Sequence, residues 1–467
     1  GGDSSAAGGG VTMAAGTLLN IAHNVAGTTK ALGAGTLTIN GGTIDNTSGS
    51  AITASGTNNA YVWNSSFAFA GSNNLDLGTG AISLGTAVGT SRTITTTAGL
   101  LALSGVISDG TTATQIVKAG AGALALNAAN AFTGGVQHAG GTLNLGHAAA
   151  LGGGTLTFGA SGAVIDNTSG SELTLSTNNA QDWNANFTFA GSHNLNMGTG
   201  SVALPNGGRT VTVTGGTLTV AGIMDDGVST AVLTKSGVGT LYLKGVNTFG
   251  NNSAVTINGG GTLKIDAESG LGTATNDVTF GTGGGTLHVT AGFVANADKV
   301  VSVQAGPGVI QVDSGTLAIG SAIVGTGAAT ANGGGLIKTG AGTLALTVSS
   351  AAYDAQGVSA AGSGATGVGF RVDAGTLLLQ GTSNNVVGDI TPTSMTIQLN
   401  GGNLSIQTDT ASIGRANLWV SADATLTSNR ATTGAGLIQT IGTGTGAQLT
   451  VGNTGAGTAV TMTVAGG

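Results

Sequence analysis

A glycine turn followed by a short strand of alternating residues recurs along almost the whole chain. The clearest copies are GAGTLTING at 33–41, GGTLNLG at 140–146, GGTLTV at 215–220, GGGTLKID at 259–266, SGTLAIG at 314–320 and AGTLLLQG at 374–381. In the first copy, Leu37 and Ile39 point to one face of the strand and Thr36 and Thr38 to the other, a period of two that is typical of a half-buried strand. The pattern predicts an all-β chain built from many short strands.

The composition limits how those strands can be arranged. Only 3% of the 467 residues are aromatic and 7% are charged, whereas 89 are glycine and 40% are hydrophobic. Disorder requires low hydrophobicity and high net charge, so a net charge of −7 on this chain predicts folding around a thin core of small aliphatic residues. Even strand spacing and only 3 prolines favour a parallel β-solenoid over a sandwich or a barrel, with glycine corners supplying positive φ angles.

Longer segments also return after about 120 residues, which indicates an internal repeat. IDNTSGS at 44–50 returns at 165–171, and GVISDG at 105–110 returns as GIMDDG at 222–227. We expect a single continuous solenoid over 1–467. Its predicted parts are 1–43 as the tail of a preceding repeat, 44–164 as the first repeat, 165–337 as the second repeat with variable turns, and 338–467 as a degenerate third repeat.

The repeated heptad contains residues that could carry chemistry, with Asp45 and Asp166 each beside Thr and Ser. A nucleophilic hydroxyl needs a neighbouring base, and no histidine lies near either copy in sequence. Asp and Asn before Thr-Ser-Gly are strong turn formers because their side chains bond nearby backbone amides. We therefore predict corners here, solvent-facing side chains at Arg92 and Arg209, and no catalytic, cofactor-binding or metal-binding residues and no enzymatic activity.

Two tryptophans occupy equivalent places in the two copies of the long repeat. Trp63 lies in YVWNSSFAF and Trp183 in QDWNANFTF. One interpretation packs or caps the coil with these indoles, and the alternative places them on a surface that contacts glycans. The sequence leaves both open.

Charge and hydropathy exclude several partner classes. The chain has 12 Lys and Arg against 19 Asp and Glu, and its basic residues do not cluster, so we expect no nucleic acid partner. No apolar run of about 18 residues is present, so we expect no membrane insertion by this segment. The opening GGDSSAAGGG lacks Met and the basic and apolar regions of a signal peptide, and it is expected to begin a mature or excised segment.

The stretch KAGAGALALNAANAFTGGVQHAGGTLNLGHAAALGGGTLTFG at 118–159 resembles the autotransporter-associated β-strand repeat of bacterial autotransporter passengers and very large surface proteins. Its motif maps onto Lys118, Gly120, Gly122, Leu124, Leu126, Asn130, Phe132, Gly134 and Gly135. A second copy retains Lys235, Gly237, Gly239, Leu241 and Leu243, and a third begins at Lys338. The resemblance implies a right-handed β-helix, export across an outer membrane and a role at the cell surface.

These observations together predict a non-enzymatic extracellular structural protein of the bacterial surface, acting as a rigid stalk, an adhesin or a self-assembling filament subunit. The alternatives are a glycan-binding adhesin module that uses its side faces and a β-helix enzyme active on polysaccharides. The expected partner is a second copy of the chain, with residues 1–20 meeting 450–467 end to end. Surface glycans and host or neighbouring cells are further candidates, and no cofactor is expected.

Overall fold

The computed structural model describes residues 9–22, 35–53, 58–86, 91–205, 207–227, 230–304, 306–321, 323–325, 335–347, 368–381, 396–408, 417–429, 449–451 and 462–466. The chain divides into two compact units. The first comprises Gly1–Pro205 and Arg209–Gly227, and the second comprises Asn206–Gly208 and Val228–Gly467. The two segments predicted to meet end to end, 1–20 and 450–467, lie only partly within these ranges, and the corresponding prediction stays open.

The first unit is built from short strands. They are β1 (Val11–Met13), β2 (Leu18–Ile21), β3 (Leu37–Ile39), β4 (Thr43–Asn46), β5 (Ile52–Thr53), β6 (Tyr61–Trp63), β7 (Phe67–Phe69), β8 (Leu75–Asp76), β9 (Ile82–Ser83), β10 (Ser91–Thr96), β11 (Leu100–Leu103), β12 (Ile107–Ser108), β13 (Gln115–Ala119), β14 (Ala123–Leu126), β15 (Val136–His138), β16 (Thr142–Leu145), β17 (Leu156–Phe158), β18 (Ala163–Asn167), β19 (Leu173–Thr174), β20 (Gln181–Trp183), β21 (Phe187–Phe189), β22 (Leu195–Asn196), β23 (Val202–Ala203), β24 (Arg209–Val213), β25 (Thr217–Val220) and β26 (Met224–Asp225).

Strands of the first unit pair with strands two or three places away in the sequence, and the pairs run parallel. One sheet contains β1, β3, β6, β9 and β12, and a ten-stranded sheet contains β2, β4, β7, β10, β13, β15, β17, β20, β23 and β26. A third series runs β5, β8, β11, β14, β16, β18, β21 and β24, and a fourth runs β19, β22 and β25. This is the topology of a parallel β-solenoid, in which each strand stacks on its equivalent one turn away.

The second unit has the same construction. Its elements are β27 (Leu233–Ser236), β28 (Thr240–Leu243), β29 (Ala254–Ile257), β30 (Thr262–Ile265), a 3₁₀ helix (Glu268–Leu271), β31 (Asp277–Phe280), β32 (Gly285–Val289), β33 (Val301–Val303), β34 (Gly308–Val312), β35 (Thr316–Ile319), β36 (Ile323–Gly325), β37 (Leu336–Thr339), β38 (Thr343–Leu346), β39 (Val368–Val372), β40 (Thr376–Gly381), β41 (Thr396–Asn400), β42 (Asn403–Thr408), β43 (Asn417–Ala422), β44 (Ala424–Asn429), β45 (Leu449–Val451) and β46 (Met462–Gly466).

The parallel series of the second unit are β27, β29, β31, β33 and β36, then β28, β30, β32, β34, β37, β39, β41, β43 and β45, and finally the six strands β35, β38, β40, β42, β44 and β46. Each unit is therefore a parallel β-solenoid, and the predicted all-β fold is confirmed. Within the ranges given above, no helix is long and apolar enough to cross a membrane.

Alternating residues explain why these strands form and where the core lies. In β16, Leu143 and Leu145 are fully buried while Thr142 and Asn144 are half-buried. Leu143 stacks in register between Leu124 of β14 and Ile165 of β18. Stacked aliphatic columns of this kind line the inside of each turn, and each fully buried Leu contributes about 1.5–3 kcal/mol relative to an exposed one.

Candidate functional site

Each heptad that suggested chemistry ends a strand, β4 or β18, and then turns a corner. One carboxylate oxygen of Asp45 accepts a hydrogen bond from the Ser72 backbone N–H (2.9 Å), and the other accepts from its hydroxyl (2.7 Å). Asp166 holds Ser192 in the same way, at 3.0 and 2.6 Å. Both aspartates lie in strands, β4 and β18, and their carboxylates bond the next turn, a longer-range contact than the bonds to nearby amides predicted for a corner.

The asparagine that follows each aspartate completes the corner. Asn46 donates from Nδ2 to the carbonyl oxygens of Ser50 (2.8 Å) and Asn74 (2.7 Å). Asn167 makes the equivalent bonds to Ser171 and Asn194, each at 2.7 Å. Asn46 and Asn167 are fully buried, and a buried amide without partners would be costly. These hydrogen bonds explain why the same heptad stands in both copies.

The three motif lysines are fully buried and point into the coil. Lys118 stacks in register between Ile94 and His138, which are also fully buried. Its Nζ turns back to the corner and donates to the carbonyl oxygens of Ala119 (3.1 Å), Gly120 (3.0 Å) and, one turn on, Gly140 (2.8 Å). The ammonium group thus joins three carbonyls that converge at one glycine corner.

The other two motif lysines repeat this corner. Lys235 donates to Ser236 (2.9 Å) and Gly237 (2.6 Å), and Lys338 donates to Thr339 (2.5 Å), Gly340 (2.8 Å) and Ala374 (3.3 Å). Burial lowers the pKa of Lys118, Lys235 and Lys338 to about 8. The glycine two places after each lysine, which are Gly120, Gly237 and Gly340, has a φ between 75° and 80°.

A glycine of the following turn leaves room for each ammonium group. A Cβ added at Gly141 would lie 2.8 Å from the Nζ of Lys118, and a Cβ at Gly375 would lie 2.8 Å from that of Lys338. At Gly261 the added Cβ would also collide with the Nζ of Lys235. The glycine after the corner is therefore part of each lysine site.

The rest of the predicted motif is structural as well. Asn130 donates to the Ala150 carbonyl (2.6 Å) and accepts from the Ile107 N–H (2.9 Å), while Phe132 is fully buried. Gly135 has a φ of 83°, and a Cβ at Gly134 would strike the backbone of the preceding turn. The remaining motif leucines are buried core residues, namely Leu124, Leu126, Leu241 and Leu243. Gly122 and Gly239 directly precede β14 and β28, respectively.

The interpretation that places Trp63 and Trp183 on a glycan-binding surface is corrected by their burial. Both indoles are 0% exposed and pack edge-on against Phe67 (5.0 Å between ring centroids) and Phe187 (4.9 Å). Trp183 donates from Nε1 to Gln181 at 3.1 Å. Both tryptophans occupy inward-facing strand positions, so their rings fill the interior of the coil.

Arg92 and Arg209 differ from the solvent-facing side chains expected of them. Arg92 is only 3% exposed, and its Nε donates to the Trp63 carbonyl at 2.8 Å. Arg209 is half-buried and donates to the Trp183 carbonyl at 2.5 Å. Each arginine therefore satisfies the backbone of the tryptophan one turn below, which links the two repeated features.

A different group of polar side chains does reach solvent, on the outer side of four successive strands in the second unit. Tyr242, Lys264, His288 and Gln311 form one in-register row across β28, β30, β32 and β34. A second row follows directly after the same strands and contains Lys244, Asp266, Thr290 and Asp313. These eight residues, all half-buried or exposed, are here named the polar face.

The carboxylates of the polar face are held by their neighbours. Asp266 accepts the Tyr242 hydroxyl on both oxygens (2.7 and 2.8 Å) and the Thr290 hydroxyl on one (2.6 Å). Asp313 accepts from His288 Nε2 (2.6 Å) and Gln311 Nε2 (2.7 Å). Each carboxylate thus bridges neighbouring turns or neighbouring rows of the face.

Those bonds also keep both carboxylates ionised. Burial raises the pKa of Asp266, but the hydrogen bonds from Thr290 and Tyr242 and the charges of Lys244 and Lys264 outweigh it, so this pKa lies below its ordinary value. The hydrogen bonds from Gln311 and His288 lower the pKa of Asp313. A glycosidase general acid needs a raised pKa, so neither aspartate fits that role. Over the described ranges, no three His, Asp or Glu side chains are placed to hold a metal ion.

The two lysines of the polar face approach the same aromatic ring. The ammonium group of Lys264 lies 4.7 Å from the Tyr242 ring centroid and that of Lys244 lies 5.3 Å away. Within the described residues, neither ammonium group donates a hydrogen bond or forms an ion pair. The sequence analysis missed this face because its residues are far apart in the chain and become neighbours only through the pairing of four strands. One signal was present: Tyr242, Lys264 and His288 each directly follow the Leu of a Thr-Leu strand.

The comparisons with known proteins give one partial likeness. No protein-family model and no solved structure matches the chain. The chain is 37% identical over 116 residues to the Adhesin BmaC autotransporter of Brucella suis biovar 1 (strain 1330). That stretch covers 25% of this chain and 3% of the adhesin, so the chain spans a small fraction of the length of this curated relative. The likeness agrees with the resemblance to autotransporter passengers noted from the lysine and glycine motif.

Proposed function

We propose that the chain is a segment of a bacterial surface adhesin, in which a non-enzymatic β-solenoid holds binding surfaces away from the cell. The observation that supports the proposal is that the polar side chains of its motifs are hydrogen-bonded within the coil. Asp45, Asp166, Lys118, Lys235 and Lys338 all bond to the turns of the coil. These side chains therefore stabilise the fold.

The partial likeness to an autotransporter adhesin supports the same proposal for location and role. A solenoid suits such a role because it grows by adding turns, each of which contacts only its neighbours. The outward-facing residues of such a coil can then differ between turns without disturbing the buried residues that stack inside it. An outward-facing group such as the polar face is the expected place for recognition in a protein of this kind.

Display of the chain on a bacterial surface tests the proposal. The chain would be fused to an outer-membrane translocator, and its exposure would be verified by protease shaving of intact cells. Adhesion of these cells to polysaccharide-coated and host-cell surfaces would be compared with cells that display an unrelated passenger of equal length. We expect greater adhesion by the first cells. Verified display with adhesion equal to that of the control would overturn the proposal.

The enzymatic alternative is tested on the purified chain. Incubation with acidic and neutral polysaccharides, followed by assays for reducing ends and for unsaturated products, would reveal hydrolysis or elimination. The lowered pKa of Asp266 and Asp313 leads us to expect neither. Release that disappears in Asp266→Asn would establish catalysis on the polar face and overturn the non-enzymatic role.

A further inference from the structure

We propose that the polar face binds a carboxylated polysaccharide, with Lys244 and Lys264 as the groups that contact its uronic-acid carboxylates. This inference deepens the proposed adhesive function, on which it rests for its biological setting. It names the class of ligand that the second unit would recognise.

The first argument is the distribution of lysines. Among the described residues, Lys118, Lys235, Lys299 and Lys338 are buried. Lys244 is exposed and Lys264 is half-buried, so the lysines that reach solvent in the described part of the chain meet at one tyrosine. On a chain with a net charge of −7, these two ammonium groups balance the carboxylates of Asp266 and Asp313, whose pKa values the lysine charges help to lower, so the polar face is less acidic than the chain as a whole.

The second argument is the contrast between donors and acceptors. Both carboxylates of the polar face already accept two or three hydrogen bonds from Tyr242, Thr290, His288 and Gln311. The two ammonium groups, in contrast, lie over the Tyr242 ring and interact with the nearby carboxylates through charge alone, without a hydrogen bond among the described residues. Ammonium donors form their strongest hydrogen bonds with anionic oxygens. The unused hydrogen-bonding capacity of the face therefore consists of ammonium donors, and it suits a ligand with anionic oxygens.

The third argument is the form of the surface. The row from Tyr242 to Gln311 crosses four strands, about 14 Å at the usual spacing of 4.8 Å between strands. Of these strands, β30, β32 and β34 are paired on both sides within the series from β28 to β37, so a peptide has no free edge to extend along them. A hydroxylated chain laid over the row can instead use the amphipathic ring of Tyr242 and the polar groups beside it.

Binding of the purified chain to oligogalacturonate of defined length tests the inference. Isothermal titration at low and at physiological salt would compare the unaltered chain with the double variant Lys244→Gln, Lys264→Gln. We expect binding that weakens with salt, and a loss of about tenfold or more in the Gln variant because charge-assisted hydrogen bonds are removed. The matched variant Lys244→Arg, Lys264→Arg keeps both charges and is expected to retain binding.

Three results would overturn the inference. They are no binding by the unaltered chain, equal binding by the Gln and Arg variants, and equal binding of the methyl-esterified oligosaccharide, which has the same backbone without charge. Tighter binding of a sulfated glycan than of oligogalacturonate would overturn the assignment to carboxylates. Circular dichroism of each variant verifies that the fold is unchanged.

Cell display separates this inference from the proposed function. Adhesion that survives in cells displaying the Gln variant would refute the role of the polar face while leaving an adhesin. Adhesion that is absent from cells displaying the unaltered chain would refute the adhesin itself, whatever the oligosaccharide measurement shows.

Discussion

Replacement of Gly141 by alanine should loosen the Lys118 corner far more than the same replacement at Gly162. Both glycines stand directly before a strand, one turn apart in the same series, and both have positive φ, 68° and 86°. A side chain in this conformation costs about 1–2 kcal/mol, and both variants share that cost. A Cβ at Gly162 meets nothing within 4 Å, so the second variant measures the conformational cost alone.

The excess at Gly141 comes from collision. Its added Cβ would lie 2.3 Å from the Gly120 oxygen, 2.5 Å from the Gly122 oxygen and 2.8 Å from the Nζ of Lys118. Relief requires the backbone or the lysine to move, and overpacking of this kind costs about 1–3 kcal/mol. Loss of a hydrogen bond to the charged lysine adds about 1.5–3 kcal/mol. An excess of about 3 kcal/mol in the free energy of local opening is therefore expected.

Hydrogen exchange followed by mass spectrometry is the suitable assay, because a stacked coil need not unfold in a single step. An excess of 3 kcal/mol corresponds to exchange about a hundredfold faster in the peptides of β13, β14 and β16. Gly162→Ala should raise exchange by about tenfold near its own turn. Equal acceleration by the two substitutions would refute the argument, since the close approach to Lys118 would then have no energetic weight.

Three further predictions concern the lysine corners, the tryptophans and assembly. Burial lowers the pKa of Lys118 from its ordinary 10.5 to about 8 in the fold, so between pH 8 and pH 10.5 the unfolded chain binds more protons. The corner should gain stability as pH rises from 8 to 10, and a Lys118→Met variant measured by hydrogen exchange corrected for intrinsic rates should lack this gain. In a Trp419→Phe variant, iodide should not quench the remaining fluorescence of Trp63 and Trp183, and strong quenching would contradict their burial. If chains assemble end to end, Val464→Pro should abolish filaments seen by electron microscopy, and filaments of unchanged length would contradict that prediction.

The alternation of Leu143 and Leu145 with Thr142 and Asn144 was predictable because a strand needs only its own residues to show its two faces. The corner after Asn46 was predictable for a similar local reason, since Asn favours turns and Asn46 accepts from the Ser48 N–H two residues on (3.1 Å). The bonds between Asp45 and Ser72 of the next turn were not predictable in this way.

The lysine corners and the polar face depend on neighbouring turns and were not predictable in the same way. The inward-facing Lys118 is stabilised by a carbonyl contributed 22 residues later, and no local rule shows that partner. The polar face required the register of four strands, and a difference of one residue in any strand would have turned Tyr242 or His288 into the core. The burial of Trp63 and Trp183 was one of two interpretations that the repeat left open, and their inward position decided between them.

The corner side chains also determine how a unit should respond to mechanical force. Backbone hydrogen bonds between parallel strands point along the stacking direction, so a pull in that direction loads successive turns in series and the weakest turn opens first. Asn46 and Lys118 each donate to a carbonyl of the following turn. These side-chain hydrogen bonds act in parallel with the backbone hydrogen bonds between the same two turns. Turns bearing such side chains should open at higher force than turns without them, which would give the coil a defined sequence of rupture under tension.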